Sequence, residues 1–130
     1  MKFLLDTSIF LRSLDAFDRL NEQARDVLTR GEEVYLSSAS CWEMVVKYAI
    51  GKLNLPKTPQ NLIPEALTQF AVRALPITLT HTLVVADLPH HHKDPFDRIL
   101  IAQARSEGMV LMTEDSEVSK YAVEILWCGK

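Results

Sequence analysis

The chain has 130 residues, 48% of them hydrophobic, with 14 Lys and Arg against 17 Asp and Glu for a formal net charge of −3. This length and composition exclude a disordered chain and fit one domain over residues 1–130 with a buried core; no apolar run approaches the ~18 residues of a spanning helix. The apolar start, Phe3-Leu4-Leu5, meets Asp6 too early for a signal peptide, so the cytoplasm is the expected compartment.

The elements alternate in type. Lys2 to Leu5 is a short apolar strand, and Asp6-Thr7-Ser8 leads into a short helix. A helix over Asn21 to Arg30 carries Ala24, Val27 and Leu28 on one face, and Glu33 to Leu36 is a second strand. Cys41 to Ile50 places Trp42, Val45, Val46, Ala49 and Ile50 at helical spacing, with Gly51 ending the helix. Thr58-Pro59 has the form of an N-cap and a first-turn proline, and opens a helix with Leu62, Ile63, Ala66, Leu67 and Phe70 on one side. Leu75 to Thr78 is read as a third strand, Thr80 to Asp87 as a short helix and Pro89 to Lys93 as a loop. Asp94-Pro95 starts a helix that runs to about Glu107 and stops at Gly108. Met109 to Met112 is a strand, Ser116 to Lys120 a helical turn and Val123 to Trp127 a last strand. Short apolar strands separated by helices predict an α/β fold: a central parallel sheet of four to five strands with helices on both faces. Ligands of such sheets sit beyond the carboxyl ends of the strands, where the strand order switches.

Each acid on that rim has a structural explanation of its own. Asp6 caps the helix after the first strand. Ser40-x-x-Glu43 is a capping-box pattern, and Glu43 pairs with Lys47 at i,i+4. Asp94 is an N-cap before Pro95, and Asp97 lies in the first turn near the positive end of the helix dipole. Asp115 caps the turn after its strand, and Glu114 is a solvated neighbour. The conjunction says more. The topology brings Asp6, Glu43, Asp97 and Asp115 to one rim from four segments. Four carboxylates there repel each other unless a cation joins them. Hard divalent ions prefer such all-oxygen sites, and metal-assisted phosphodiester hydrolysis is the chemistry they serve. No serine or cysteine triad competes. Cys41 and Cys128 lie far apart and form no C-x-x-C pair, so they are read as ordinary reduced thiols.

In this order and spacing the motifs resemble the PIN domain family, and within it the VapC-type toxins of toxin–antitoxin pairs. The likeness runs through Phe3-Leu4-Leu5-Asp6-Thr7-Ser8, Ser40-Cys41-Trp42-Glu43 with Lys47 and Gly51-Lys52-Leu53, His92-Lys93-Asp94-Pro95-Phe96-Asp97-Arg98 with Ile101-Ala102-Gln103-Ala104, and Met112-Thr113-Glu114-Asp115. The resemblance implies Mg²⁺- or Mn²⁺-dependent cleavage of RNA, a homodimer and a small antitoxin as inhibitor. It assigns the acidic positions to Asp6, Glu43, Asp97 and Asp115. Asp94 remains open between helix cap and ligand. Asp115 stands where many relatives carry Asn, which allows an outer or second-metal role.

Around these acids, Thr7, Ser8 and Thr113 are candidates to hydrogen-bond the carboxylates. Arg98, Lys47, Lys52 and Lys93 are candidate phosphate contacts, with an ordinary solvated charge as the alternative for each. His90-His91-His92 reads as a surface loop, because consecutive side chains rarely converge on one ion, with His92 near RNA. The acidic balance argues against strong nonspecific nucleic-acid binding. An aspartate-nucleophile phosphatase wants Asp-x-Asp after the first strand, whereas Asp6 is followed by Thr7-Ser8. A receiver domain wants a lysine ending its last strand, and none is present. A catalytically inactive RNA- or protein-binding module, a metal-dependent phosphatase and a DNA nuclease remain as alternatives. The apolar side of the helix over Leu62 to Phe70 is assigned to core packing ahead of a dimer or antitoxin contact.

Overall fold

The computed structural model describes residues 1–130. Five strands, β1 (Lys2–Leu5), β2 (Glu33–Ser37), β3 (Arg73–Leu75), β4 (Val110–Thr113) and β5 (Ile125–Trp127), form one sheet in the order β3-β2-β1-β4-β5. Every pairing is parallel. The helices are α1 (Thr7–Asp15), α2 (Glu22–Thr29), α3 (Ser38–Ala49), α4 (Pro59–Gln69), α5 (Leu79–Ala86) and α6 (Pro95–Glu107), with single 3₁₀ turns at Phe17–Arg19 and Val118–Lys120. The expected fold class is the observed one. β3 differs in position: it ends at Leu75, where the expected strand began, because Arg73, Ala74 and Leu75 pair with Tyr35, Leu36 and Ser37.

Alternation along the strands explains why they read as continuous apolar runs. Phe3 and Leu5 of β1, Val34 and Leu36 of β2 and Val110 and Met112 of β4 point into a cluster with Ile9, Phe10, Leu28 and Ile63 from α1, α2 and α4. Leu4 and Leu111 point the other way, onto Leu100, Ile101 and Ala104 of α6. Both sheet faces are therefore dry. Fully burying each large apolar side chain stabilises the fold by roughly 1.5–3 kcal/mol. The apolar side of α4 is in the core, through Leu62, Ile63 and Ala66.

Local signals set the helix ends that matter for the site. Asp94 caps α6 by accepting the Phe96 amide at 2.9 Å, and Pro95 occupies the first position. Gly108 closes the same helix at φ +65°, a conformation that costs glycine little. α3 starts earlier than its apolar spacing suggested. Ser37 is the N-cap and accepts the Ala39 amide at 3.0 Å. Ser40 lies inside the helix, so Ser40-x-x-Glu43 is not a capping box.

The apolar stripe of α3 has a second surprise: Trp42, Val45, Ala49 and Ile50 face outward, while Glu43 and Met44 are buried. No helix of the chain is long and apolar enough to cross a membrane.

Candidate metal centre at the carboxyl edge of the sheet

The chain moves from β1 to β2 on one side and reaches β4 on the other, so the order switches at β1 and β4. Residues following those strands converge there. The Asp6 amide donates to the Met112 carbonyl at 2.9 Å and continues the ladder one step past β1. Asp6 stands at the N-cap position of α1, yet its side chain makes no capping hydrogen bond. Its Oδ2 instead accepts the Thr113 hydroxyl at 2.8 Å, and Thr113 Oγ1 in turn accepts the Asp115 amide at 3.0 Å.

A cleft of about 610 Å³ opens at this edge. Its walls carry the carboxylates of Asp6, Glu43, Asp94, Asp97, Glu114 and Asp115 and only two cations, Lys47 and Lys52. The four acids expected to gather do gather, and Asp94 joins them while serving as the α6 cap. Glu43 is 5% exposed. Its Oε2 accepts a hydrogen bond from Lys47 Nζ at 2.6 Å, while Oε1 is buried without any partner. The Thr7 hydroxyl, expected at the carboxylates, donates instead to Ser40 Oγ at 2.8 Å and ties α1 to α3.

The electrostatics follow from this crowding. Burial pushes the Asp97 carboxyl up to about 7, the charges of Asp6, Asp94 and Glu43 push the same way, and His92 opposes them. Burial also raises Asp6, with Asp115 and Glu43 adding and the Thr113 hydroxyl and Thr7 amide opposing. The hydrogen bond to Glu43 is the first cause holding Lys47 above the ordinary ammonium range. The donor set fits a hard divalent cation. It is rich in carboxylate oxygen, and a buried oxygen without a partner is costly unless something binds it. His92, Asp97 and Asp115 also bring one ligand-type atom each within 4.8 Å of one another. The thiols take no part: burial pushes Cys128 up to about 12 and raises Cys41 as well.

Several surrounding side chains do something other than expected. Arg98 is buried, and its guanidinium donates to the carbonyls of Pro89, Val85 and Leu88 and to the Tyr121 hydroxyl. Both Nη atoms are spent on these oxygens and Arg98 is not among the residues lining the cleft, so the side chain anchors the loop before α6. Glu114 forms an ion pair with Arg12 across the rim at 2.5 Å. Lys93 is exposed on that loop. Of the three adjacent histidines, His92 meets two acids of the cleft, with Nε2 2.9 Å from Asp115 Oδ2 and 3.0 Å from Asp97 Oδ2. His91 packs its ring edgewise on Tyr121 with centroids 5.1 Å apart. The roles of Tyr121 and Arg12 had no signal in the sequence, since each depends on a partner 23 or more residues away.

Known proteins resemble this chain in sequence and in fold. Ribonuclease VapC16 of Mycobacterium tuberculosis is 30% identical over 67 residues, which are 52% of this chain and 48% of the relative. The chain thus aligns with about half the length of that curated relative. VapBC2 from Rickettsia felis, solved bound to a promoter DNA fragment, superposes with a TM-score of 0.76 at 15% identity, covering 98% of this chain and 99% of that one. DNA-bound VapBC from Salmonella typhimurium gives 0.71 at 17% identity, covering 97% of both chains. At such identities these two establish the fold. The PIN domain model matches residues 3–124, a span that includes every acid of the cleft. The chain belongs to the PIN domain family.

Proposed function

We propose that this chain is a Mg²⁺- or Mn²⁺-dependent endoribonuclease, the toxin of a toxin–antitoxin pair, working as one nuclease domain in the cytoplasm. The observation that carries the reading is Glu43 Oε1, buried without a hydrogen-bond partner in a cleft of converging carboxylates. Asp6, Glu43 and Asp97 would hold the ion. Asp115, whose Oδ1 accepts the Glu117 amide at 2.9 Å and whose Oδ2 accepts from His92, would support them from the side. A divalent ion in such a site acidifies water and offsets charge on a phosphodiester.

The chain's own groups do the rest. Thr113 holds the Asp6 carboxylate in place, and Lys47 does the same for Glu43. Lys52 at the cleft wall and exposed Lys93 on the neighbouring loop would meet phosphates of a bound strand, with Lys47 adding positive charge from within. The choice of RNA follows the relative that is named a ribonuclease. An antitoxin partner follows the structural neighbours named VapBC. A homodimer is supported by the outward-facing apolar stripe of α3 and by exposed Leu79 and Leu83 on α5.

The test is cleavage of structured RNA by the purified chain with Mn²⁺, with Mg²⁺ and with a chelator, beside folded Asp6→Asn and Asp97→Asn. Metal-dependent cleavage that falls by at least ~100-fold in both variants is the expected result, in the range of catalytic electrostatic contributions. Equal cleavage by parent and variants would locate the activity elsewhere. Mn²⁺ binding without cleavage of any RNA or DNA would favour an inactive binding module.

A further inference from the structure

His92 lies between α5 and α6, and the acids of the cleft do not by themselves account for how it is held. Its main-chain N–H and both ring nitrogens are engaged. Its main-chain N–H donates to the Tyr121 hydroxyl at 2.7 Å. Its Nδ1 accepts the Asp94 amide at 3.1 Å. A ring nitrogen that accepts an N–H bond carries no proton, so the proton of the neutral ring is on Nε2. That N–H faces Asp115 Oδ2 at 2.9 Å, and Asp97 Oδ2 lies 3.0 Å from the same nitrogen.

The close approach of His92, Asp97 and Asp115 would also suit a metal ligated by imidazole. The proton count argues otherwise. A ligating Nε2 has to pass its proton to Nδ1, which would set that N–H against the Asp94 N–H already pointing at it. The ring is built to donate into the cleft. Its setting is anchored from behind as well, because Arg98 Nη1 donates to the Tyr121 hydroxyl at 3.2 Å while the same guanidinium fixes the carbonyls of Val85, Leu88 and Pro89.

We propose that His92 is a positioning residue of the metal centre: its Nε2–H draws Asp115 and Asp97 together, and Tyr121 and Arg98 hold the imidazole in that place. The proposal rests on the metal-binding part of the reading above and not on the substrate. Two carboxylates at this separation repel each other. A donor set between one oxygen of each offsets that repulsion and would leave the other Asp97 oxygen available to an ion. Groups that orient carboxylate ligands in this way contribute strongly to metal affinity.

The experiment is calorimetric titration of Mn²⁺ into the metal-free full chain, with thermal melting of the same samples, for the parent, His92→Ala, His92→Gln and Tyr121→Phe. His92→Ala is expected to weaken Mn²⁺ binding about 10–100-fold, the usual effect of losing such a partner. Tyr121→Phe, which keeps the ring and removes the hydroxyl, gives a smaller loss. His92→Gln offers an N–H donor in place of Nε2–H and restores most of the affinity. An affinity unchanged in His92→Ala, even with a lowered melting temperature, would make His92 a loop anchor only and overturn the proposal. So would His92→Gln as weak as His92→Ala with fewer ions bound per chain, since that is the signature of an imidazole ligand. A parent that binds no Mn²⁺ would overturn the metal reading and this proposal together. A parent that binds Mn²⁺ and cleaves nothing sinks only the nuclease reading, because affinity is read without RNA.

Discussion

Asp6 and Asp97 both stand where a carboxylate caps a helix, and neither is held as a cap is. Asp6 has the position of an N-cap without the bond, and spends its Oδ2 on Thr113 instead. Asp97 sits in the first turn of α6, where the dipole favours a charge, yet burial and neighbouring acids push it up to about 7. The sign of the consequence follows from linkage. The unfolded chain releases this proton near the ordinary value of 3.8, while the metal-free fold keeps it until about 7. Between those values the fold binds more protons, so metal-free stability falls as pH rises across that window. An ion that needs the carboxylate must displace the proton. Mn²⁺ affinity is therefore expected to rise with pH, at most tenfold per pH unit, and to level off above about 7. Proton release at pH 6, read by calorimetry in two buffers of different ionisation heat, checks the assignment; its absence would place the ion away from Asp97. In the same vein, Asp97→Asn removes a strained charge and is expected to raise metal-free stability at pH 8 by about 1 kcal/mol or more, measured by urea unfolding.

At the scale of elements, α6 was the most legible part of the chain. Asp94, Pro95 and Gly108 mark its ends by local chemistry, and the helix runs between them as expected. Asp94 accordingly tests whether a cap and a ligand coincide. Asp94→Asn keeps an oxygen for the Phe96 amide and should leave both stability and Mn²⁺ affinity near the parent's. Asp94→Ala loses the cap and should cost about 1 kcal/mol of stability. A large loss of affinity in Asp94→Asn would instead make Asp94 a ligand. What was not legible depended on partners distant in sequence. β3 lies earlier than its apolar run suggests because its register is dictated by β2, and Ser40-x-x-Glu43 has the form of a capping box although the cap is three residues earlier. Periodicity revealed that α3 has an apolar stripe and could not say which way it faces. Arg98 looked like a phosphate contact because nothing local announces four oxygen acceptors from 9 to 23 residues away. The four acids were found because topology alone brings strand ends to one rim. The way each acid is held, by Thr113, Lys47 or His92, needed the structure.

For the whole molecule, the exposed apolar stripe is the feature the folded chain leaves unexplained. Trp42 is 61% exposed, Ile50 60% and Val45 46% on α3, and Leu79 is 74% and Leu83 61% exposed on α5. Scattered apolar residues on a surface are ordinary. A Trp, a Val and an Ile repeated along one helix face form the pattern of a helix that packs on something. The Trp42 ring meets Phe96 edgewise with centroids 5.3 Å apart, and Phe96 immediately precedes Asp97. A second chain on this face would therefore stiffen the start of α6 beside the cleft. A stable dimer needs about 800 Å² per partner. Light scattering at micromolar concentration should give twice the chain mass for the parent and a monomer for Trp42→Glu combined with Leu83→Glu. Because both side chains are exposed, the doubly substituted chain should keep its helical circular dichroism, so that loss of the dimer is not loss of the fold. A monomeric parent would assign the stripe to a different partner. A dimer indifferent to both charges would move the interface to another face. Trp42→Glu also takes its own ring off Phe96, so the effect of the second chain on the metal site is read with Leu83→Glu alone: if that single change dissociates the dimer, Mn²⁺ affinity should fall with it, and an unchanged affinity would uncouple the two.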